Sequence, residues 1–296
     1  MADLQLNGRE LLAWRRQLLV HGGRSVDLDW LLDLAAGVPW SLLQRVQLDP
    51  GAVELTLKCP LEELEALWRQ HQTEHIPLQH LVGRSPWRDF ELLVSDKVLI
   101  PRQETELLAD LALACVGDGK ARSGVWADLG TGSGALAIAL ARALPRWQGH
   151  AVDCCSDALV MARGNVAALV ADANCHFHQG SWWEPLRSWW GQLDLVVSNP
   201  PYIPSAVVDA LDPVVREHEP RLALDGGTDG LDCCRDLLAR ARHALAPGGW
   251  LLVEHHHDQS ASVMALMAAM GLHDVHAEKD LEGKDRFAIA RRSECV

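Results

Sequence analysis

A regular alternation of short apolar strands with helices, between residues 124 and 254, most constrains the fold of this chain. GVWADLG, GHAVDC, LDLVVSN and WLLVEH are short apolar runs bounded by polar residues or glycine, and segments between them, such as SGALAIALARAL, have helical periodicity. Such alternation predicts an open, mostly parallel sheet covered by helices on both faces. FAIARR, near the C-terminus, is expected to form a last strand. We therefore predict an α/β, Rossmann-like fold.

The residues that precede this alternating region predict a separate domain and a joint. GRELLAWRRQLLVHG and DLDWLLDLAAG have apolar residues at three- and four-residue spacing, and PLEELEALWRQHQ opens with proline followed by acidic residues, as helices often do. We expect a small all-helical domain over residues 1–84. WRDFELLVSDKVLI alternates and is interrupted at Ser95-Asp96, which predicts a β-hairpin joint over residues 85–100. The second domain would then cover residues 101–296, with its first helix beginning at about Glu104.

Composition restricts the partners that the chain can have. A formal net charge of −13 argues against a protein whose main task is to grip the phosphate backbone of a nucleic acid. No apolar run approaches the roughly 20 residues that span a bilayer, and MADLQLNGRE lacks a secretory pattern, so we expect a cytoplasmic protein without a membrane partner. The eight cysteines contain no CxxC pair, and the adjacent histidines His255, His256 and His257 are poorly placed for one ion, so no metal site is predicted.

A glycine-rich loop, DLGTGSGA at residues 128–135, lies where the first strand of the sheet becomes a helix. Glycines there allow a tight turn and let a ligand approach main-chain N–H groups at the start of a helix. Asp153 ends the next strand, about 20 residues further on, where a carboxylate can accept hydrogen bonds from ribose hydroxyls. The loop therefore predicts a nucleotide-like cofactor.

The spacing of the glycines leaves two kinds of cofactor open. Gly130, Gly132 and Ala135 satisfy the G-x-G-x-x-A form of dinucleotide sites, so a nicotinamide enzyme is one candidate. Gly134 comes early, however, and Asp128 stands two residues before the first glycine. This acid-x-G-x-G-x-G form resembles the first motif of the S-adenosylmethionine-dependent methyltransferases.

SNPPYI contains the single tyrosine of the chain and follows a strand, so it is expected to face the same crevice as the glycine loop. Pro200 and Pro201 stiffen the backbone. The side-chain oxygen of Asn199 and the carbonyl of Pro200 could each accept one N–H of a planar nitrogen, and Tyr202 could cover its flat face. A nitrogen of this type belongs to a carboxamide or an exocyclic amino group, so these residues predict methylation of such a nitrogen without a general base.

The chain resembles the release factor glutamine methyltransferases over nearly the whole second domain. The stretches that carry the resemblance are IPLQHLVG (76–83), VLIPRQETE (98–106), DLGTGSGALAIALA (128–141), VVSNPPYI (196–203), EPRLALDGGTDGLD (219–232) and GKDRFAIARR (283–292). Asn-Pro-Pro-Tyr is shared with enzymes that methylate adenine, whereas IPRQETE and EPRLALDGG are more specific to this family. The sequence departs from the usual family pattern at Gln103-Glu104 and in EHHHD.

The resemblance implies a class I methyltransferase fold and transfer of methyl from S-adenosylmethionine to N5 of the glutamine in the Gly-Gly-Gln motif of class I peptide chain release factors, with S-adenosylhomocysteine as the product. The helical domain would contact the release factor, and the enzyme would be a monomer. Carried over by position, substrate would meet Asn199, Pro200, Pro201 and Tyr202, of which Asn199, Pro200 and Tyr202 would be catalytic. The cofactor would be bound by Asp128, Gly130, Thr131, Gly132, Ser133, Gly134, Asp153, Trp182 and Asn199.

Two alternatives remain at this point. One is an Asn-Pro-Pro-Tyr-type N6-adenine methyltransferase acting on nucleic acid, which predicts a basic groove and a target-recognition insertion; neither is visible in the sequence. The other is a regulator that binds the cofactor without catalysis, for which an intact Asn-Pro-Pro-Tyr motif would be superfluous.

Overall fold

The computed structural model describes residues 4–117 and 123–294 and divides into two compact units. The first unit comprises the residues up to Ser85 together with Asp212–His218, and the second comprises Pro86–Leu211 and the residues from Glu219 onward. Seven cysteines are free thiols, and Cys295 lies outside the described residues. Among the helices that the structure describes, none is both long and apolar enough to cross a membrane.

The first unit is mainly helical. Its elements are β1 (Leu4–Asn7), α1 (Gly8–Val20), α2 (Ser25–Ala36), α3 (Trp40–Leu48), β2 (Glu54–Leu57), α4 (Leu61–Glu74) and α5 (Leu78–Val82). Helix α1 begins with a capping box, in which the Asn7 side chain accepts from backbone N–H groups and the Glu10 side chain accepts from the Asn7 N–H. Apolar faces of these elements enclose a core around Leu28, Leu31 and Leu64.

The prediction of helices alone in this unit is wrong in one respect, because β1 and β2 pair as a two-stranded antiparallel sheet. Each strand has only four residues, LQLN and ELTL, and so short a segment gives too little periodicity to be recognised in the sequence.

A two-stranded sheet of β3 (Arg84–Trp87) and β4 (Phe90–Leu93) follows. The hairpin was expected to turn at Ser95-Asp96, but its connection is at Arg88-Asp89, and Ser95–Val98 forms a separate turn after the second strand. Arg88 has a positive φ of 55°, unusual for a residue other than glycine. Its backbone N–H and guanidinium donate to Glu106, and the guanidinium also pairs with Asp110, so tertiary contacts stabilise a turn that has no local sequence signal.

The second unit continues with α6 (Glu104–Val116), which begins at the predicted residue, and then alternates strands with helices. The elements are β5 (Val125–Leu129), α7 (Ala135–Ala143), β6 (Gln148–Asp153), α8 (Ser156–Leu169), β7 (Cys175–Gln179), β8 (Leu193–Ser198), α9 (Ser205–Val208), α10 (Pro213–Arg216, in the first unit), α11 (Asp232–Ala244), β9 (Leu245–Glu254), α12 (Ser260–Ala269), β10 (His273–Lys279) and β11 (Asp285–Arg291). Short 3₁₀ helices occupy Glu184–Trp189, Arg221–Ala223 and His257–Gln259.

Strands β5 to β11 of the second unit form one seven-stranded sheet in the order β10-β11-β9-β8-β5-β6-β7. The five strands from β9 to β7 are parallel, and β11 is antiparallel to both β9 and β10. Two apolar clusters contain side chains of the central strands together with those of the flanking helices, one cluster around Trp126 and Leu136 and the other around Leu237 and Val263. The α/β, mostly parallel, Rossmann-like architecture is therefore confirmed, and it places the ends of β5, β6, β8 and β9 along one edge.

Candidate active site

A cleft of about 300 Å³ lies within the second unit at the carboxyl ends of the parallel strands, where ligands bind in open α/β sheets. It brings together most of the residues that the sequence singled out: Gly130, Thr131, Gly132, Ser133, Asp153, Trp182, Asn199 and Pro201. The other predicted residues, Asp128, Gly134, Pro200 and Tyr202, are not part of its wall. Lys97, Arg102, Thr105, Leu222 and Cys233 contribute further surface.

The glycine loop joins β5 to α7 and is attached to the next strand. The backbone N–H groups of Gly130 and Thr131 both donate to the carbonyl of Val152. Gly134 begins the helix at a φ of 85°, and a Cβ atom there would lie 3.2 Å from the Cα of Ala162. Glycine is therefore required at this position both by the left-handed conformation and by the close approach of α8.

Asp128 supports this loop from behind. Its side chain is fully buried, and Oδ2 accepts a hydrogen bond of 2.6 Å from the Thr131 hydroxyl. Burial raises the pKa of Asp128 to about 7, the Thr131 hydrogen bond opposes that rise, and the negative charge of Asp153 adds to it. Since Asp128 does not reach the cleft wall, its visible contribution is to hold the turn in place.

Asp153 ends β6 and faces the cleft. Oδ2 accepts from the backbone N–H of Gly132 at 2.9 Å, and Oδ1 accepts from that of Cys155 at 2.9 Å. Burial raises the pKa of this carboxyl, and the backbone donors lower it. Each carboxylate oxygen can accept more than one hydrogen bond, so capacity remains for hydroxyl groups of a ligand.

Trp182 follows β7 and borders the glycine loop. A Cβ atom added to Gly130 would lie 3.5 Å from Cζ3 of the indole ring. The backbone of Trp182 has a φ of 45°, unusual for so large a residue. A flat aromatic ring thus lies next to the loop and on the cleft wall.

Asn199 lies directly after β8 and is held, directly and indirectly, by Thr105 and Glu254, which lie in the quoted stretches VLIPRQETE and EHHHD but were not predicted as site residues. Its Nδ2 donates to Thr105 Oγ1 at 3.1 Å, and Thr105 Oγ1 donates to Glu254 Oε2 at 2.7 Å. Strands β8 and β9 are parallel neighbours, and Ser198 lies opposite Val253. Asn199, the residue after Ser198, and Glu254, the residue after Val253, therefore lie at the same level of the sheet. Burial raises the pKa of Glu254 to about 7, and hydrogen bonding from Thr105 partly opposes this.

The rest of the Asn-Pro-Pro-Tyr segment is fixed from behind the cleft. Pro200 is buried, and the Tyr202 hydroxyl points to Glu254 Oε1 at 3.5 Å. Gln259 Nε2 donates to the carbonyl of Tyr202 at 2.9 Å. Burial raises the pKa of Tyr202 well above its usual value, so the hydroxyl is a neutral donor.

The histidines at the end of β9 serve local roles. His255 is buried with Nδ1 against the carbonyl of His256, and His256 Nδ1 lies 2.6 Å from Asp258 Oδ1. Over residues 4–117 and 123–294, no group of three or more His, Cys, Asp or Glu side chains is arranged to hold a metal ion.

Arg102 and Glu219 join two stretches that are far apart in the sequence. Arg102 Nη2 lies 2.6 Å from Glu219 Oε1, and Glu219 Oε2 accepts from the backbone N–H of Ile100 at 3.2 Å. The carbonyl of Arg102 also accepts from Trp87 Nε1 at 2.8 Å. IPRQETE and EPRLALDGG thus meet beside the cleft.

Comparison with known proteins gives a consistent picture. Residues 108–228 match the model of the methyltransferase small domain. The chain is 55% identical, over 97% of both chains, to a release factor glutamine methyltransferase of Prochlorococcus marinus, and 40% identical, again over 97% of both chains, to one of Synechocystis. A third relative of the same name, from Caulobacter vibrioides, is 40% identical over 90% of this chain and 88% of its own.

Among solved structures, the hMettl16 catalytic domain in complex with the MAT2A 3′UTR hairpin 6 superposes with a TM-score of 0.56. It covers 79% of this chain and 83% of the other at 12% identity, so the likeness is one of fold.

Proposed function

This chain belongs to the release factor glutamine methyltransferases, and we propose that it transfers a methyl group from S-adenosylmethionine to the side-chain amide N5 of the glutamine in the Gly-Gly-Gln motif of class I peptide chain release factors. The observation that carries the proposal is the position of Asn199. Its carboxamide stands on the cleft wall, with the nitrogen bonded to Thr105, in the same cleft that the glycine loop lines. The structural relative that binds an RNA hairpin shares only the fold, so it does not favour the adenine alternative.

We propose that S-adenosylmethionine binds in the cleft. Asp153 would accept hydrogen bonds from the ribose hydroxyls, Trp182 would pack against the adenine, and residues 130–133 would form the part of the wall against which the cofactor lies. The backbone N–H groups of Gly130, Thr131 and Gly132 are already bonded within the protein, so they hold the shape of this wall. We expect Asp128 to act on the cofactor only by supporting the loop, since it is fully buried. When bound, the cofactor supplies an electrophilic methyl group.

The protein's task in the transfer is to orient a weak nucleophile. A carboxamide nitrogen has its lone pair delocalised and carries two N–H bonds. Asn199 Oδ1 and the Pro200 carbonyl would each accept one of these, which aligns the nitrogen and stabilises positive charge as it develops. Pro201, which lines the cleft, and Pro200 restrict the backbone that holds these acceptors.

Tyr202 is proposed to border the amide of the substrate. Its hydroxyl is directed to Glu254, so only the body of the ring remains for contact with a flat group. The proton released from the methylated nitrogen can pass to solvent after transfer, and no base is assigned to it.

The remaining proposals concern the partner. We propose that the helical domain, residues 1–84, recognises the release factor, that residues 85–100 join it to the methyltransferase domain at 101–296, and that the enzyme acts as a cytoplasmic monomer. The net charge of −13 favours a protein partner over a nucleic acid.

A methyl-transfer assay tests the proposal. The purified chain is incubated with radiolabelled S-adenosylmethionine and a class I release factor, and in parallel with the same factor carrying Gly-Gly-Ala in place of Gly-Gly-Gln. Label should appear on the first protein only. Equal label on both, or on an adenine-containing oligonucleotide instead, would refute it.

The role of Asn199 is tested in the same assay. Asn199→Ala should bind S-adenosylmethionine about as well as the wild type, because the cofactor's other contacts remain. It should transfer methyl at least about a hundredfold more slowly, as expected for loss of a preorganised acceptor. Undiminished turnover would show that Asn199 does not orient the nucleophile.

A further inference from the structure

A buried relay of hydrogen bonds ends on the carboxamide that faces the cleft. Asn199 Nδ2 donates to Thr105 Oγ1 at 3.1 Å, and Thr105 Oγ1 donates to Glu254 Oε2 at 2.7 Å. Thr105 is 5% exposed and Glu254 1% exposed, so the bond between them is buried, whereas the bond from Asn199 to Thr105 lies at the cleft wall. We propose that Thr105 and Glu254 are positioning residues for methyl transfer, which set the direction in which Asn199 presents its amide oxygen. This inference rests on the proposed function of Asn199.

The polarity of the relay follows from the chemistry of its members. Above about pH 7, where Glu254 is ionised, its carboxylate only accepts hydrogen bonds, so the single hydroxyl proton of Thr105 is directed to Glu254. The hydroxyl oxygen can then only accept from Asn199, which must present its NH₂ group there. The amide oxygen is thereby left at the opposite corner of the carboxamide, available for an N–H of the substrate.

Removal of the hydroxyl would release this constraint. The Asn199 carboxamide could then rotate by 180° and exchange its oxygen for its nitrogen with little change in shape. The rotated form would turn two donors toward the N–H donors of a substrate amide. Such a form would bind the planar nitrogen poorly and could not stabilise charge that develops on it.

Glu254 also touches the other end of the same segment. Its Oε1 faces the Tyr202 hydroxyl at 3.5 Å, while Oε2 accepts from Thr105. One carboxylate on β9 therefore contacts Tyr202 directly and reaches Asn199 through Thr105 of α6. The register of these parallel strands, with Ser198 opposite Val253, brings the three groups together.

A role for Thr105 in the local stability of its helix does not account for the contact. Thr105 is in the first turn of α6, where a hydroxyl could cap backbone N–H groups, but its proton goes to Glu254, 149 residues further along the chain. The N-cap position of α6 is Gln103, whose side chain makes no capping hydrogen bond. The hydroxyl is therefore committed to the active site.

Two substitutions at Thr105 separate the hydroxyl from the packing. Thr105→Val keeps the shape and removes the hydroxyl, whereas Thr105→Ser keeps the hydroxyl and removes a methyl group. With a release factor as substrate, we expect Thr105→Val to lower kcat about tenfold or more and to change the Kd for S-adenosylmethionine less than about threefold. Thr105→Ser should stay within about threefold of the wild type in both. Equal losses in the two variants, or a kcat for Thr105→Val within about twofold of the wild type, would overturn the proposal.

A double-mutant cycle tests whether Thr105 acts through Asn199. If it does, Asn199→Ala combined with Thr105→Val should be no slower than Asn199→Ala alone, since there is no amide left to orient. Multiplied losses would instead indicate a general structural effect and refute the positioning role. Should Thr105→Val fold poorly, Thr105→Ala in the same cycle gives the same decision.

The wild-type reaction tests the proposed function separately from the positioning role of Thr105 and Glu254. If the wild type does not label Gly-Gly-Gln, the proposed function fails before any variant is compared. If the wild type labels it and Thr105→Val does so equally fast, only the positioning role fails.

Discussion

Glu254→Gln should make the protein more stable at pH 8 while leaving its stability at pH 5 nearly unchanged. The carboxyl is 1% exposed, and burial raises its pKa from 4.5 to about 7. The groups that act on it come from several elements: Thr105 and Glu104 on α6, Tyr202 after β8, and Arg286 on β11. Thr105, Tyr202 and Arg286 favour the ionised form, whereas burial and Glu104 disfavour it.

The sign follows from which state holds the proton. Between pH 4.5 and about 7 the folded state binds this proton more tightly than the unfolded state, so stability falls as pH rises through that window. At about 1.4 kcal/mol for each pH unit, the full cost of ionising the folded protein above pH 7 is about 3 kcal/mol. Glutamine resembles the protonated carboxyl in shape and carries no charge, so the variant avoids this cost.

The assay is urea denaturation of wild type and Glu254→Gln at pH 5 and pH 8. The difference in free energy of unfolding between variant and wild type should be about 2 to 3 kcal/mol larger at pH 8 than at pH 5. Parallel pH dependence of the two proteins would refute the reasoning, because it would mean that Glu254 is not held in an environment that opposes its charge. A gain in stability at a residue proposed to serve catalysis would be an example of stability sacrificed for function.

Two further changes test other parts of the site. Asp153→Asn should weaken binding of S-adenosylmethionine about 10- to 100-fold by calorimetry, because hydrogen bonds to a charged acceptor contribute about 1.5 to 3 kcal/mol each; unchanged affinity would remove Asp153 from the cofactor site. Gly230→Ala should lower both the melting temperature and the transfer rate, since φ is 75° and the added Cβ would collide with the carbonyl oxygen of Tyr202. Gly191→Ala is the control, because Gly191 also has a positive φ, of 78°, but no atom lies within 4 Å of the added Cβ. This variant should lose only the backbone strain energy of about 1 to 2 kcal/mol in stability and should transfer methyl as fast as the wild type. Equal effects of the two substitutions would exclude a specific contact with the Tyr202 loop.

The features that could be predicted from the sequence are those with a local physical signal. The alternating periodicity indicated the parallel sheet, and the glycines of residues 130–134 marked the turn because φ is positive at all three. Asp153 and Asn199 were recognised as strand-end residues, and both line the cleft. Trp182 was placed only through the family resemblance, since a tryptophan beside a loop has no spacing rule of its own.

Contacts between distant segments could not be predicted in this way. Thr105 and Glu254 are 149 residues apart, and their meeting depends on β9 lying next to β8, an order that periodicity does not contain. The hairpin turn at Arg88 is stabilised by Glu106 and Asp110 rather than by a turn-forming residue. Sequence reasoning therefore found the groups that face the ligand and missed the groups that hold them.

Two buried carboxylates perform this supporting work on two sides of the cleft. Glu219 holds the segment around Arg102 through one ion pair and one backbone hydrogen bond, and Glu254 holds Thr105 and Tyr202. Burying a carboxylate is unfavourable unless its oxygens are satisfied, so each one strongly favours the arrangement that provides its donors. A substrate glutamine has a flat, nearly symmetric carboxamide, and an enzyme that must distinguish its nitrogen from its oxygen needs acceptors that cannot rotate. The buried carboxylate of Glu254, which acts on Asn199 through Thr105, is consistent with that requirement, because a site made only of apolar packing would hold the shape of the Asn199 amide without deciding which of its ends faces the substrate.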